Sequence, residues 1–279
     1  MTPPHPRPRP RKRLGQHFLT DPRILGRIAD AAGAGRADTV VEIGPGPGGL
    51  TAELANRAGR VVAIEKDAGL AAALAGRWPN VSVVTADALE QDWAALAGVP
   101  SGAAGPVPHW LVVGNIPYNL TSPLIEKALA PPAPARIAFL VQREVAERVT
   151  APPGTPEYGA LGVGVQAVAG AEQAFRVPAG AFTPRPRVDS ALLRLTPLAA
   201  PLVRDAERGP FRRMVVGLFG FRRKQMLRGV RELTGWPAEA AARALAAAGV
   251  AETARPETLP PAAFVRLLRA LVDGGWGGA

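Results

Sequence analysis

The chain has 279 residues, 47% hydrophobic and 20% charged, a composition that sustains a packed core and excludes a disordered or fibrous protein. It contains no cysteine and only three histidines, His5, His17 and His109, which removes disulfides, thiol catalysis and thiolate or histidine-rich metal sites, so no metal is expected. The net charge of +10 is unevenly spread: residues 1–13 carry +5 and residues 204–232 carry +6, leaving the remainder near neutral, which suits a polyanion partner or, equally, a basic tail and a solvated helix face.

Residues 1–12 alternate proline with basic residues and read as a flexible arm. This start has no apolar stretch of the secretory kind, and no run approaches the ~18 apolar residues of a membrane span. With cysteine also absent, a cytoplasmic protein without membrane contact is expected. A helix is predicted from Asp21-Pro22 to residue 32, with Asp21 as N-cap and Pro22 in the first turn. Short β-branched runs at 39–43, 60–64, 81–84, 111–114 and 137–142 alternate with helical stretches at 50–58 and 67–77, the pattern of a parallel sheet in an α/β domain. Runs at 163–168, 174–177 and 191–195 read as added strands, antiparallel at one sheet edge. After Pro197 three helices are predicted near 207–232, 237–248 and 261–273. The expected organisation is an arm at 1–12, an α/β domain at 13–197 and an all-helical domain at 198–279.

The residues with chemistry fall just past strand ends, where open α/β sheets bind ligands. Gly44, Gly46 and Gly49 form a G-x-G-x-x-G loop, and Glu65 ends the next strand, placed to accept hydrogen bonds from ribose hydroxyls. A dinucleotide fits this much equally well. Val-Glu-Ile-Gly-Pro-Gly, with Glu42, resembles a wording typical of S-adenosylmethionine methyltransferases, and Asp87, after the third strand, stands where an acid in such enzymes bonds the adenine amino group; this likeness moves the balance away from NAD. Separately, Glu42 also reads as a buried network member and Asp87 as a helix cap.

Asn115-Ile116-Pro117-Tyr118 follows the fourth strand and has the Asn/Asp-x-Pro-Tyr/Phe form that methyltransferases acting on nucleobase amino groups use. An adenine amino nitrogen is a poor nucleophile because its lone pair is delocalised into the ring. The Asn115 side-chain oxygen and the Ile116 carbonyl suit its two N–H bonds, Pro117 stiffens the loop, and Tyr118 is placed to stack on an extruded base. The plainer alternative is a Pro-Tyr turn capped by Asn115. In the proline-braced segment 182–190, Phe182 reads either as a second stacking wall or as core, and Arg185 and Arg187 as phosphate contacts. Arg222, Arg223 and Lys224 read as contacts to an RNA backbone or as a solvated helix face. By residue type alone, His17 is assigned no acid–base role.

Residues 14–19 (Leu-Gly-Gln-His-Phe-Leu), 41–46, 114–119 (Gly-Asn-Ile-Pro-Tyr-Asn) and 181–191 occur in this order, and together they resemble the ribosomal RNA adenine dimethyltransferases. Residues 221–225 and 255–259, with Tyr158 to Leu161, resemble the small-subunit branch of that family. The likeness runs from about residue 11 to 272, and it implies a Rossmann-like domain followed by a helical rRNA-binding domain. It also implies S-adenosylmethionine as cofactor, contacted by His17 (through its backbone), Leu19, Gly44, Gly46, Glu65, Asp87 and Asn115. The implied substrate is 16S rRNA in an immature small subunit, in which two adjacent adenines near the 3′ end become N6,N6-dimethyladenine. A monomer is expected. The sister branch, which modifies one adenine of 23S rRNA, shares the glycine loop and the Asn-x-Pro-Tyr motif. A non-catalytic relative with the same fold is disfavoured by the intact Asn115, Tyr118, Glu65 and Asp87, and a dinucleotide oxidoreductase by the absence of a hydride-transfer partner.

Overall fold

The computed structural model describes residues 16–100 and 109–278. The basic arm, together with Leu14 and Gly15, lies outside the described residues. Chain contacts gather the residues up to Ala146, with Glu172–Pro197, into one unit, and Glu147–Ala171 with Leu198–Ala279 into a second. The sequence reading instead kept 13–197 together; residues 147–171 pack with the C-terminal helices.

The first unit is built on a seven-stranded sheet. Its elements are β1 (Phe18–Leu19), α1 (Pro22–Ala32), β2 (Thr39–Ile43), α2 (Gly49–Arg57), β3 (Arg60–Glu65), α3 (Ala68–Leu74), β4 (Val81–Thr85), α4 (Trp93–Leu96), β5 (Trp110–Asn115), α5 (Thr121–Ala128) and β6 (Arg136–Gln142). The chain then continues through α6 (Arg143–Thr150) and α7 (Ala160–Gln166) to β7 (Ala169–Val177), β8 (Phe182–Thr183) and β9 (Ser190–Pro197). The strand order is β4-β3-β2-β5-β6-β9-β7, with β1 and β8 forming a separate pair. Strands β4 to β6 run parallel, and β9 is antiparallel to β6, as the sequence predicts for the added edge.

Local signals explain the first elements. Asp21 accepts the Arg23 amide at 2.9 Å, Pro22 occupies the first turn, and Gly33 closes α1 in the left-handed region. Helix α1 buries Leu25, Ile28, Ala29 and Ala32 against α2 and β6. Val40, Val41, Val112 and Val113 are fully buried, as strands covered on both faces require. The strand order reverses at β2, which has β3 on one side and β5 on the other. In register, Ile43 faces Ile64 and Gly114, and Glu65 faces Thr85. The carboxyl ends of β2, β3, β4 and β5 therefore open onto one crevice. Gly114 is required there, because a Cβ would stand 2.6 Å from the Ile43 carbonyl oxygen.

The second unit contains α7, α8 (Arg208–Gly220), α9 (Met226–Thr234), α10 (Ala238–Ala248) and α11 (Pro261–Asp273). Two expectations are corrected. Residues 163–168, predicted as a strand, lie mostly in α7: the apolar alternation is too short to separate the two periods. Gly162 brings the helix against the Arg148 carbonyl, and Gln166 Nε2 donates to the Val149 and Ala151 carbonyls at 2.9 Å each. The predicted 207–232 helix is two helices, parted by a turn at 221–225 in which Lys224 N–H bonds the Phe221 carbonyl.

Tyr158 is a keystone of this unit. It is fully buried, its ring meets Phe219 edge-on, Phe219 stacks on Phe264, and its hydroxyl donates to the Leu259 carbonyl at 2.8 Å. Burial pushes its pKa up. Tyr158→Phe keeps the packing but leaves the Leu259 carbonyl unpaired. The expected loss is about 1–3 kcal/mol of stability, read from chemical denaturation of the intact chain; an unchanged midpoint contradicts this role.

Candidate active site

The crevice forms a cavity of about 260 Å³ lined by Gly44, Gly46, Glu65, Lys66, Asp87 and the 115–118 segment, with Gln16, His17 and Phe18 beside them. Each strand delivers its residue through the register described above. The glycine loop turns with Gly46 at φ 56°, a conformation that a side chain disfavours. Its N–H donates to Glu65 Oε2 at 3.0 Å, and the Asp67 N–H donates to Oε1 at 2.8 Å. A carboxylate has about four acceptor directions, so Glu65 keeps acceptor capacity beyond these bonds. Burial raises its pKa, against the backbone amides of Asp67, Gly46 and Lys66.

Asp87 Oδ2 pairs with Lys66 Nζ at 2.6 Å and Oδ1 accepts the Leu89 N–H at 3.0 Å. The Lys66 ammonium, and then the Leu89 amide, hold its carboxyl below the usual range. Asp87 is thus both helix cap and cavity acid.

Asn115 is oriented by chemistry. Its Nδ2 donates to the His17 carbonyl at 2.8 Å, and a carbonyl can only accept, so the amide's acceptor is Oδ1, which has no partner among the described residues. The Tyr118 hydroxyl bonds Ser190 Oγ at 2.8 Å, and its ring stacks with the His17 imidazole at 5.9 Å between centroids. Burial raises the tyrosine's pKa, so it is a neutral phenol. His17 Nδ1 bonds the Pro184 carbonyl at 2.8 Å, and β1 pairs with β8 through Phe18–Thr183 and Leu19–Phe182. The cavity's wall at 16–18 is thereby stitched to the proline-braced segment.

The structure brings together His17, Gly44, Gly46, Glu65, Asp87, Asn115, Ile116, Pro117 and Tyr118. It does not bring Leu19 to the cavity: its side chain is in the core with α1. Of its two readings, Phe182 takes the core one. It is 4% exposed and packed in the same cluster, because β8 pairs inward with β1, so its ring is not a base wall. Arg185 and Arg187 are exposed. Arg222 is also corrected, from RNA contact to structural clamp: Nε pairs with Glu257 at 2.5 Å and a second nitrogen donates to the Pro156 carbonyl at 2.8 Å. Arg223 and Lys224 are exposed. The sequence reading assigns no role to Lys66 or Ser190. Lys66 is signalled by its place directly after a strand-end acid, and Ser190 by its place at the close of the 181–191 motif.

A parallel sheet reversing at β2, a glycine turn, and acids at the ends of β3 and β4 define a Rossmann-like methyltransferase. The residues fit S-adenosylmethionine, the cofactor of such enzymes: Glu65 offers acceptors for a diol, Asp87 for an amino group. Match to the family described as ribosomal RNA adenine dimethylase extends over residues 8–272, and the chain belongs to that family. It is 44% identical over 266 residues to the ribosomal RNA small subunit methyltransferase A of Mesorhizobium japonicum, covering 92% of this chain and 91% of that protein. It is 43% identical over 268 residues to the protein of the same name from Moorella thermoacetica, covering 94% and 92%. Among solved structures it resembles the 23S rRNA methyltransferase ErmE, at 31% identity and TM-score 0.68, over 91% of this chain and 99% of that one. A dimethyladenosine transferase from Plasmodium falciparum, 24% identical, shares the fold with TM-score 0.76 over 93% and 99% of the two chains.

Glu42 lies on β2 just before the glycine turn, 1% exposed, and neither carboxyl oxygen has a hydrogen-bond partner among the described residues. Thr51 lies close enough to oppose the effect of burial, yet its hydroxyl too makes no well-formed bond; burial dominates and lifts the pKa to about 8. The folded protein then keeps a proton that the unfolded chain releases near 4.5, so between these values Glu42 costs stability as pH rises. Relative to the native chain, Glu42→Gln is expected to gain thermal stability progressively from pH 4.5 to about 8. Melting curves across that window that shift in parallel contradict the assignment.

Proposed function

We propose that this chain dimethylates the N6 amino groups of two adjacent adenines near the 3′ end of 16S rRNA, acting as a cytoplasmic monomer on an immature small subunit. The observation that carries the adenine chemistry is the amide of Asn115, pinned by the His17 carbonyl at 2.8 Å with Oδ1 unused. Identity of 44% to a small-subunit enzyme, against 31% to a 23S enzyme, supports the branch. So do Tyr158 and the 221–225 turn. Among the described residues no helix is long and apolar enough to cross a membrane.

When bound, S-adenosylmethionine supplies an electrophilic methyl on a sulfonium sulfur. The chain's own work is to hold the nucleophile. Asn115 Oδ1 and the Ile116 carbonyl accept the two amino N–H bonds, which draws the nitrogen toward pyramidal geometry and frees its lone pair. Pro117 keeps those two acceptors at a fixed separation. The Tyr118 ring, tethered through Ser190, already carries one flat heterocycle on its face, and a base extruded from RNA stacks by the same forces. Positioning of this kind contributes much of the rate in such transfers, and the departing amino proton passes to water.

Incubation with labelled S-adenosylmethionine and small subunits lacking the modification is expected to place label on two neighbouring adenines near the 16S 3′ end. Label in 23S rRNA instead overturns the branch assignment. Tyr118→Ala is expected to lower kcat at least tenfold with little change in cofactor Kd. Asn115→Ala is expected to lose more in kcat than in cofactor affinity, although it borders both. Equal losses in the two quantities for both variants contradict the base-holding role.

A further inference from the structure

The helical unit holds a second cavity, about 440 Å³, lined by Gln225, Leu227, Arg228, Arg231, Glu232, Gly235 and Trp236. It belongs to α9 and the residues that flank its two ends. Arg228 and Arg231, three residues apart, share one helix face. Arg228 meets Glu232 at a loose 3.5 Å, while Arg231 is exposed with no carboxylate partner among the described residues. Arg223 and Lys224 lie just before α9, also exposed. Four cations thus stand near one carboxylate over residues 223–232.

Trp236 is what makes this more than a basic patch. Gly235 ends α9 at φ 73°, and the Trp236 amide donates to Thr234 Oγ1 at 3.1 Å, so the turn sets the indole's position. The ring rests over Gly274, where a Cβ would come within 2.7 Å of it. The indole is half-buried and lines the cavity. An aromatic face and two guanidinium groups around one concavity match a single nucleotide: a π-face to stack and a phosphate to neutralise. A duplex presents phosphates but cannot insert a stacked base into a cleft.

We propose that this groove binds an unpaired nucleotide of the RNA, its base on Trp236 and its phosphate on Arg228 and Arg231. The inference rests on the reading above that the helical unit engages rRNA. It places there a single-strand contact distinct from the adenine-binding crevice.

The test uses the full chain and two labelled RNAs with equal numbers of phosphates. One is a uridine-only single strand, which offers the Asn115 site no adenine, and the other is a hairpin duplex. Trp236→Ala is expected to weaken the single strand about tenfold, within the ~1–3 kcal/mol of a base–aromatic stack, and to leave the hairpin unchanged. Trp236→Phe, which preserves packing on Gly274, is expected to retain most of the affinity. The exposed pair Arg228→Gln/Arg231→Gln is expected to weaken the single strand and flatten its salt dependence. Should Trp236→Ala fail to fold, the arginine pair decides the matter on the same criteria. The groove is overturned if folded Trp236→Ala or the folded arginine pair binds the single strand as the native chain does, or loses both RNAs alike. Arg223→Gln/Lys224→Gln separates the two levels. Loss of binding in that pair with none in the groove variants removes the groove alone, and no loss in either removes RNA engagement by this unit.

Discussion

Everything at the crevice depends on how closely β2 and β5 approach. The Ile43 carbonyl leaves no room for a side chain at Gly114, and that contact locks the register in which the two strands end level. With β3 and β4 aligned on the other side of β2, four strand ends deliver a glycine turn, two acids and an asparagine to one opening. A slip of a single residue along any of these strands would send the side chains to the opposite face. The chemistry is therefore set by backbone pairing before any side-chain bond is made.

On that platform the polar bonds do different jobs. Glu65 ties the glycine turn to β3 while keeping acceptors in hand. Asn115 is locked into one orientation by a carbonyl from the segment before α1, and Tyr118 by a serine from the start of β9. Both tethers come from parts of the chain far from the 115–118 motif: His17 lies 98 residues away and Ser190 lies 72 away. The motif supplies the functional groups, and distant residues supply their aim. A reaction governed by placement requires this division.

Most of the α/β plan was legible because its signals are local. Asp21 and Pro22 announce α1, and five β-branched runs announce the parallel strands. The site was legible where function sits at strand ends, as with Gly44, Glu65, Asp87 and Asn115. It was not legible where tertiary pairing decides. Phe182 lies in a motif rich in arginine and proline, yet the β1–β8 ladder turns its ring into the core. Arg222 stands in a basic run, yet a carboxylate 35 residues on captures it. Residues 163–168 alternate like a strand, but Gly162 permits the close helix contact that residue pattern alone does not reveal.

The pairing of Lys66 with Asp87 carries a further consequence. Because the ammonium cancels that acid, and a buried glutamic acid behind the glycine turn holds its proton up to about pH 8, Glu65 is left as the one uncompensated acid among the cavity's lining carboxylates. A sulfonium cofactor, when bound, would bring a positive centre into that opening beside the remaining carboxylate.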